Sequence, residues 1–356
     1  MQFRHSRTRL VCTAFFAGIA FGPLNAQTAV ASTAALRHSV RLDDAESAAI
    51  EHGDVFVRVL PTQDQRDVAV VGVVRVSVPR DAYVRRVQDF RNWLRTPTRA
   101  RLGVFSDPAV IADVDGMTVA RDDAKDLRHC RPGDCTTKLP APEMQRVQNE
   151  VNWSAPDAQA RVTALARRRM VQYVEEYRER GNASMPVYDD RPSVRASDAF
   201  SAVLAQSSSL NQVAPALAGY LNTFPSGRPA GVADVLYWSE DAVSRLRPIF
   251  SITHAVVYTP PELAGTTVVA SKQIYANHYF EAALEVISVI DRDASGEPAS
   301  TYLVVERRYR FDNLPKGGIL NIRGRAVNGL RDQLLDDLRR ERGIAERGVG
   351  ERGIGR

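Results

Sequence analysis

The last third of the chain contains four runs of strand-like residues, followed by a longer stretch with helical spacing. The runs cover residues 249–258, 266–275, 278–290 and 301–311, and β-branched and aromatic residues dominate each of them. A turn or bulge is expected near Asn277, because asparagine tolerates left-handed backbone angles. The pattern predicts a curved antiparallel sheet of four strands.

Residues 319–342 have the spacing of an amphipathic helix. One side carries apolar residues at steps of three and four, with arginine and aspartate on the other side. The apolar residues are Ile319, Ile322, Ala326, Leu330, Leu334 and Leu338. We expect this helix to lie across the sheet with its apolar side inward.

The first part of the chain predicts a strand that runs into a helix. A short helix at 43–51 and a strand at 54–60 come first. A strong strand at 68–78 then leads into a helix at Pro79, and Trp93 lies at the end of that helix. Two further short strands are predicted at 102–105 and 117–119.

Residues 121–246 predict a segment that is mainly helical. Proline-glycine-rich and serine-rich turns separate the apolar stripes. The predicted helices cover residues 154–180, 198–205, 210–221 and 232–246.

The N-terminal 31 residues have the features of a secretory signal peptide. Arg4, Arg7 and Arg9 precede an apolar run that ends near Gly22, and residues 29–31 fit the small-x-small cleavage rule. An uncleaved membrane anchor is the alternative. The sequence therefore predicts a periplasmic or secreted protein.

The charge of the chain gives no indication of nucleic-acid binding. The net charge is +5, but three arginines lie in residues 1–31, and six arginines with three glutamates lie in 339–356. The remaining body is close to −1, so the basic balance comes from the two ends. Residues 343–356 form a degenerate Glu-Arg-Gly-Ile repeat, which predicts a disordered tail.

Cys130 and Cys135 are the only cysteines after the predicted signal peptide, and Pro132-Gly133 forms a turn dipeptide between them. In an oxidising compartment we expect a disulfide that closes this short loop. Metal binding with His129 and a redox-active pair remain alternatives, although the spacing matches no common zinc pair. No metal and no cofactor is predicted.

Residues 68–93 and 248–342 together resemble the START-like (SRPBCC, helix-grip, polyketide cyclase-like) superfamily. Its members open with a strand, enter a helix at a proline-containing junction, and end with antiparallel strands and a long helix. The resemblance implies an α+β fold in which the sheet grips the last helix around an apolar cavity. Residues 32–120 and 247–342 would form this domain, and residues 121–246 would be a helical insertion. The insertion departs from the family pattern. Two roles remain open for it: a lid over the cavity, or a second structural layer.

A second resemblance rests on C130-R-P-G-D-C135 together with K272-Q-I-Y-A-N-H-Y-F280. This combination is similar to that of a family of exported bacterial proteins. It implies no activity.

The sequence contains no catalytic motif. There is no nucleophile elbow, zinc-protease helix, phosphate loop or dinucleotide fingerprint. His254 and His278 are the candidates for acid–base chemistry. If a cavity exists, its predicted polar lining is Tyr275, His278, Tyr279 and Tyr309.

Three functions are consistent with these sequence features. The first is an exported binding protein that holds a lipid or other apolar small molecule in a helix-grip cavity and makes transient membrane contact. The second is a cyclase- or hydrolase-type enzyme that uses cavity histidine and tyrosine. The third is an envelope interaction protein with a filled core and an exposed apolar patch.

Overall fold

The computed structural model describes residues 40–242, 246–263, 265–292, 299–314 and 321–353, with side chains in the last range described at 321–345 and 347. The predicted signal peptide at 1–31 lies outside these residues. Within them the chain forms a mixed α+β structure around a large antiparallel sheet.

The first half of the described chain alternates between strands and short helices. Its elements are α1 (Asp44–Glu51), β1 (Phe56–Leu60), β2 (Asp67–Val76), α2 (Arg80–Gln88), α3 (Phe90–Trp93), β3 (Arg99–Val104), α4 (Arg121–Leu127), α5 (Ala141–Glu150), α6 (Ala158–Arg180), β4 (Val187–Tyr188), β5 (Val194–Arg195), α7 (Ala196–Ala205), α8 (Ser208–Val213) and α9 (Pro215–Thr223).

The second half supplies the long strands. Its elements are β6 (Ala233–Asp241), β7 (Ile249–Tyr258), β8 (Thr266–Ala276), β9 (Phe280–Arg292), β10 (Ser300–Phe311) and α10 (Ile322–Gly353). The four strands and the final helix expected from the sequence are present. The break between β8 and β9 falls at 277–279, where Tyr279 has a positive φ of 61°.

Eight strands form one antiparallel sheet in the order β1-β2-β10-β9-β8-β7-β6-β3. β4 and β5 form a separate pair. Because the backbone of a β-strand is pleated, alternate residues point to opposite faces of the sheet. Both faces are covered in this protein, so β7 and β8 are buried along nearly their whole length.

One face of the sheet packs against α2, α3 and α10. Leu334 and Leu338 of α10 are buried against the sheet, in one apolar cluster with Val70 and Val74 of β2. The closest approach is at Gly72, where an added Cβ would lie 2.5 Å from Cδ1 of Leu338. A glycine at this position lets the helix backbone approach the strand closely.

The opposite face packs against helices from residues 121–246. Tyr177 of α6, Phe200 of α7 and Leu217 of α9 are fully buried in one cluster with Ile252 and Ala270 of the sheet. The helices of this segment lie on the other side of the sheet from α10, whereas β6 is part of the sheet itself. The helices therefore form a second structural layer and do not lie between the sheet and α10.

Three local predictions were wrong. Residues 233–241 form a strand where a helix was expected, because a short apolar run does not distinguish the two structures. Residues 117–119 lie outside any strand. α10 continues to Gly353, into the stretch for which disorder was expected.

Candidate functional site

The two faces of the sheet centre differ in how tightly they are covered. On the α10 side, four small residues keep between 7% and 9% of their surface exposed: Ser251, Thr253, Ser271 and Ala283. On the opposite side, the neighbouring residues of the same strands keep at most 2%: Ile252, His254, Ala270, Lys272, Ala282 and Leu284. These small side chains leave this part of the α10 side slightly more exposed than the opposite face. We call the surface that they form the groove.

Two tyrosines on the same face of the sheet, one on β10 and one on β6, flank the groove. On one side, Tyr309 of β10 is paired with Ala283 of β9. On the other side, Tyr237 of β6 is paired with Thr253 of β7, and Thr253 is paired with Gln273 of β8. These residues form a row across five strands. Adjacent strands lie about 4.8 Å apart, so four spacings give a width of about 19 Å between the outer strands.

Paired charges lie on both sides of the row between the two tyrosines. Arg307 on β10 contacts Glu285 on β9 at 2.5 Å and Asp337 on α10 at 2.8 Å. Arg99 on β3 contacts Asp241 on β6 at 3.3 Å. Each guanidinium is thus already paired with a carboxylate, and Asp337 connects α10 to the sheet at this point.

The two tyrosines that flank the groove have raised pKa values. Burial raises the pKa of Tyr309 to about 12, with Arg307 opposing this and Glu285 and Asp241 adding to it. The pKa of Tyr237 is also raised by burial, with opposition from Arg99 and a contribution from Glu285. Both hydroxyls therefore stay protonated at neutral pH and can donate hydrogen bonds.

One buried polar atom in the groove has no hydrogen-bond partner among the residues that the structure describes. It is Oε1 of Gln273. A buried polar atom without a partner is unfavourable unless water or a ligand satisfies it. Beyond the row that contains Arg307 and Glu285, an apolar row follows in which Val257, Ile287 and Val305 keep 5–6% of their surface exposed.

The four residues predicted to line a cavity do not come together. Tyr309 lies in the groove. Tyr275 lies on the opposite face, among Tyr173, Tyr188 and Phe250, and its hydroxyl donates to the carbonyl oxygen of Lys138 at 3.2 Å. The alternation that would have placed Tyr275 on the groove side is broken by a bulge between Gln273 and Tyr275.

The other two predicted residues lie in the turn after β8. Nε2 of His278 is 3.1 Å from both carboxylate oxygens of Asp123, and its Nδ1 is 2.9 Å from the carbonyl oxygen of Thr136. The hydroxyl of Tyr279 accepts a hydrogen bond from the backbone of Arg247 at 3.0 Å. These contacts fasten the turn to the segment that carries the disulfide.

His254 lies on the face opposite the groove and is buried. Its Nε2 is 2.8 Å from Asp234, and its Nδ1 is 3.0 Å from the hydroxyl of Tyr177. The sequence identified His254 as an acid–base candidate. Its partners lie 20 and 77 residues away in the chain, and no motif indicates them.

Cys130 and Cys135 form the expected disulfide, with their Cα atoms 4.6 Å apart. The loop between them is fastened at Gly133, whose N–H donates to the carbonyl oxygen of Asp189 at 2.7 Å. His129 is exposed. Within the part of the chain that the structure describes, no group of histidine, cysteine, aspartate and glutamate has the arrangement of a metal site.

Reduction of the disulfide is expected to lower the free energy of unfolding by about 2 kcal/mol. The reason is that opening a short loop restores chain entropy to the unfolded state. Urea unfolding of residues 32–356, with and without a thiol reductant, measures the difference. The double variant Cys130→Ser with Cys135→Ser is the control, and the reductant should not change its stability. An unfolding midpoint that does not move on reduction of the wild-type protein would contradict the prediction.

Two open clefts lie elsewhere on the surface. One, of about 410 Å³, lies between α1, β1 and α10, and charged residues such as Glu46, Asp54 and Arg339 line it together with apolar ones. The other, of about 510 Å³, lies beside the β1–β2 turn and α7 and includes Asp64 and Arg310. Neither has the apolar lining expected for a lipid cavity.

No family model matches the chain, and no curated protein matches it. Among the helices that the structure describes, none is both long and apolar enough to cross a membrane. The function must therefore be argued from the geometry of the groove.

Proposed function

We propose that the chain is an exported binding protein of the START-like type, which holds a small molecule in the groove. The ligand that fits best has an apolar body and at least one hydrogen-bonding group. Its body would lie on the apolar end formed by Val257, Ile287 and Val305, and its polar group would reach Gln273 and Tyr309. A lipid or another amphiphilic molecule meets this description.

The observation that carries the proposal is the group of small residues, 7–9% exposed, that lies near Tyr237 and Tyr309 on the α10 side of the sheet. Burial of apolar ligand surface would supply affinity of about 25 cal/mol for each Å² removed from water. The unpaired oxygen of Gln273 would add specificity, because it is satisfied only when a donor is present. An apolar cavity without charges was expected, whereas the pair Arg307 and Glu285 lies between the tyrosine row and the apolar residues Val305 and Ile287.

The enzyme alternative receives less support from the geometry. His254 and His278 both lie away from the groove, and each contacts a carboxylate at a buried position. The groove itself contains tyrosines and carboxylates, but the nearest carboxylates are already paired with arginine. We therefore favour binding over catalysis.

The test is to fill the groove and measure the bound ligand. Ala283→Leu adds three carbon atoms above the sheet floor, so we expect the variant to lose most of the co-purifying ligand while it keeps its fold. Purified residues 32–356 would be extracted with organic solvent, and the extract analysed by mass spectrometry against a mock purification. Ala160→Leu, at an exposed position of α6, is the size-matched control and should keep the ligand.

The stability of the filled variant provides an independent measurement. If the groove is open, Ala283→Leu leaves the unfolding midpoint in urea nearly unchanged. In a tightly packed position the same change costs about 1–3 kcal/mol. A large loss of stability, or a wild-type protein that yields no extractable molecule and takes up no apolar fluorescent probe, would overturn the proposal.

A further inference from the structure

On the face opposite the groove, one carboxylate connects three parts of the chain. Asp234 on β6 accepts a hydrogen bond from the hydroxyl of Tyr220 at 3.1 Å, and Nε2 of His254 lies 2.8 Å from the same oxygen. Its other oxygen is 2.9 Å from the guanidinium of Arg228. Tyr220 belongs to α9 and Arg228 to the loop that follows, so Asp234 fastens residues 215–228 to the sheet.

Phe224 completes the attachment of this segment. Its ring stacks on Tyr177 with centroids 4.7 Å apart, and it meets the His254 ring edge-to-face at 4.5 Å. The residues after Phe224 are exposed as far as Arg228, so this partly exposed ring lies between solvent and the buried histidine. Asn182 adds contacts that do not titrate, through hydrogen bonds to the carbonyl oxygens of Leu221 and Asn222.

We propose that Asp234 and His254 form an acid-sensitive latch, which holds residues 215–228 against the sheet at neutral pH and releases them when His254 takes up a proton.

The hydrogen bonds around His254 fit its neutral form. The Nε2–H donates to Asp234, and the free Nδ1 accepts the proton of the Tyr177 hydroxyl. In the protonated imidazole, Nδ1 also carries a proton, which points at the oxygen of the Tyr177 hydroxyl. The hydroxyl would then have to rotate its own proton away from Nδ1. Protonation therefore reverses this hydrogen bond, and the proton of the Tyr177 hydroxyl loses its acceptor at a buried position.

The charges around His254 have opposing effects on its protonation. Asp234 favours a positive imidazole, whereas Arg228 and Lys272 oppose it; Tyr177 and Tyr220 are neutral. Burial is the largest influence and lowers the pKa of His254 below its ordinary value of 6.5. In an opened segment the imidazole would be hydrated and would regain the ordinary value. Since the open state then binds more protons below pH 6.5, acidification favours opening.

Hydrogen exchange measured by mass spectrometry tests the latch in the protein of residues 32–356. Protection factors, corrected for intrinsic exchange rates, would be compared at pH 7 and pH 5 for peptides that cover residues 215–228. Uptake of one proton changes the opening equilibrium at most tenfold per pH unit, so protection should fall by up to about 30-fold. Peptides from β8 should show no such fall.

Three variants distinguish the latch from a general loss of stability in acid. His254→Gln keeps a donor for Asp234 but cannot titrate, so the pH dependence in residues 215–228 should fall to the part that Lys272 contributes through its contact with Leu221. His129→Gln changes an exposed histidine and should keep it. Asp234→Asn removes the charge that Arg228 and His254 share, and it should lower protection already at pH 7.

Equal protection of residues 215–228 at pH 7 and pH 5 in the wild-type protein would overturn the proposal. The same fall in His254→Gln as in the wild type would do so as well. If His254→Gln does not fold, the wild-type measurement and Asp234→Asn decide the question.

Discussion

Replacing Lys272 with methionine is expected to remove a rise in stability that the wild-type protein shows from pH 7 to pH 9. Lys272 is fully buried on β8, and its Nζ donates to the carbonyl oxygen of Leu221 at 3.0 Å and to the side chain of Asn182. The rings of Phe200 and Tyr177 lie 4.5 Å and 5.5 Å away. None of these groups is a carboxylate, so no anion compensates the ammonium charge.

Burial lowers the pKa of Lys272 well below its ordinary value of 10.5. Between the folded-state pKa and 10.5, the unfolded chain carries a proton that the folded protein lacks. Stability therefore rises with pH in this window, by at most about 1.4 kcal/mol for each pH unit. Methionine has no proton to lose and should show no such rise.

Urea unfolding at pH 7, 8 and 9 would compare the wild type with Lys272→Met. The slope against pH is decisive, because the sign of the difference at one pH also depends on the two oxygen acceptors that methionine leaves unpaired. Lys125→Met is the control, since Lys125 is exposed and its loss should leave the slope unchanged. Parallel slopes for wild type and Lys272→Met would mean that Lys272 keeps its charge in the folded protein.

Gly72→Ala is expected to lower the free energy of unfolding by about 1–3 kcal/mol. The new Cβ would lie 2.5 Å from Leu338, 3.2 Å from Leu334 and 3.1 Å from the carbonyl oxygen of Phe56. The backbone oxygen belongs to the neighbouring strand and cannot move far, so α10 would have to shift away from the sheet. Chemical unfolding measures the loss.

Gly329→Ala is a control for the same substitution on the helix. The residue is exposed, and an added Cβ meets nothing within 4 Å. Alanine in a helix interior is about 0.5–1 kcal/mol more favourable than glycine, so this variant should gain stability. If Gly72→Ala also gained stability, the close contact between α10 and β2 would be contradicted.

The late strands and α10 could be predicted because their local patterns are strong. β7 to β10 are long runs of β-branched and aromatic residues, and Leu334 and Leu338 lie four residues apart on the buried side of α10. The order of the strands in the sheet could not be predicted from these local patterns. β2 lies beside β10 although more than 200 residues separate them, and only tertiary packing determines that pairing.

The position of the groove could not be predicted for two reasons. Both faces of β7 and β8 are buried, so the alternation of polar and apolar residues that marks an exposed face is missing. In addition, the bulge around Ile274 turns Tyr275 to the face opposite Gln273. Counting residues in steps of two from Tyr275 therefore leads to the wrong face.

The contacts of the two acid–base candidates could not be predicted from the sequence either. The sequence indicates that His254 and His278 could titrate, but Asp234 and Asp123 come from distant segments. Neither carboxylate lies at a spacing that a motif would detect. The structure shows what each histidine contacts, and for both the contact fastens one part of the chain to another.

The alternation of faces along β7 and β8 also has a consequence for how the gene can change. Gln273 reaches the groove while its neighbour Lys272 reaches the helical layer, so deletion of a single codon upstream within β8 would exchange the two environments. A substitution affects one face, whereas an insertion or deletion of one codon affects both faces at once. Descendants of this sequence should therefore differ in length at the hairpins and keep the strand lengths constant.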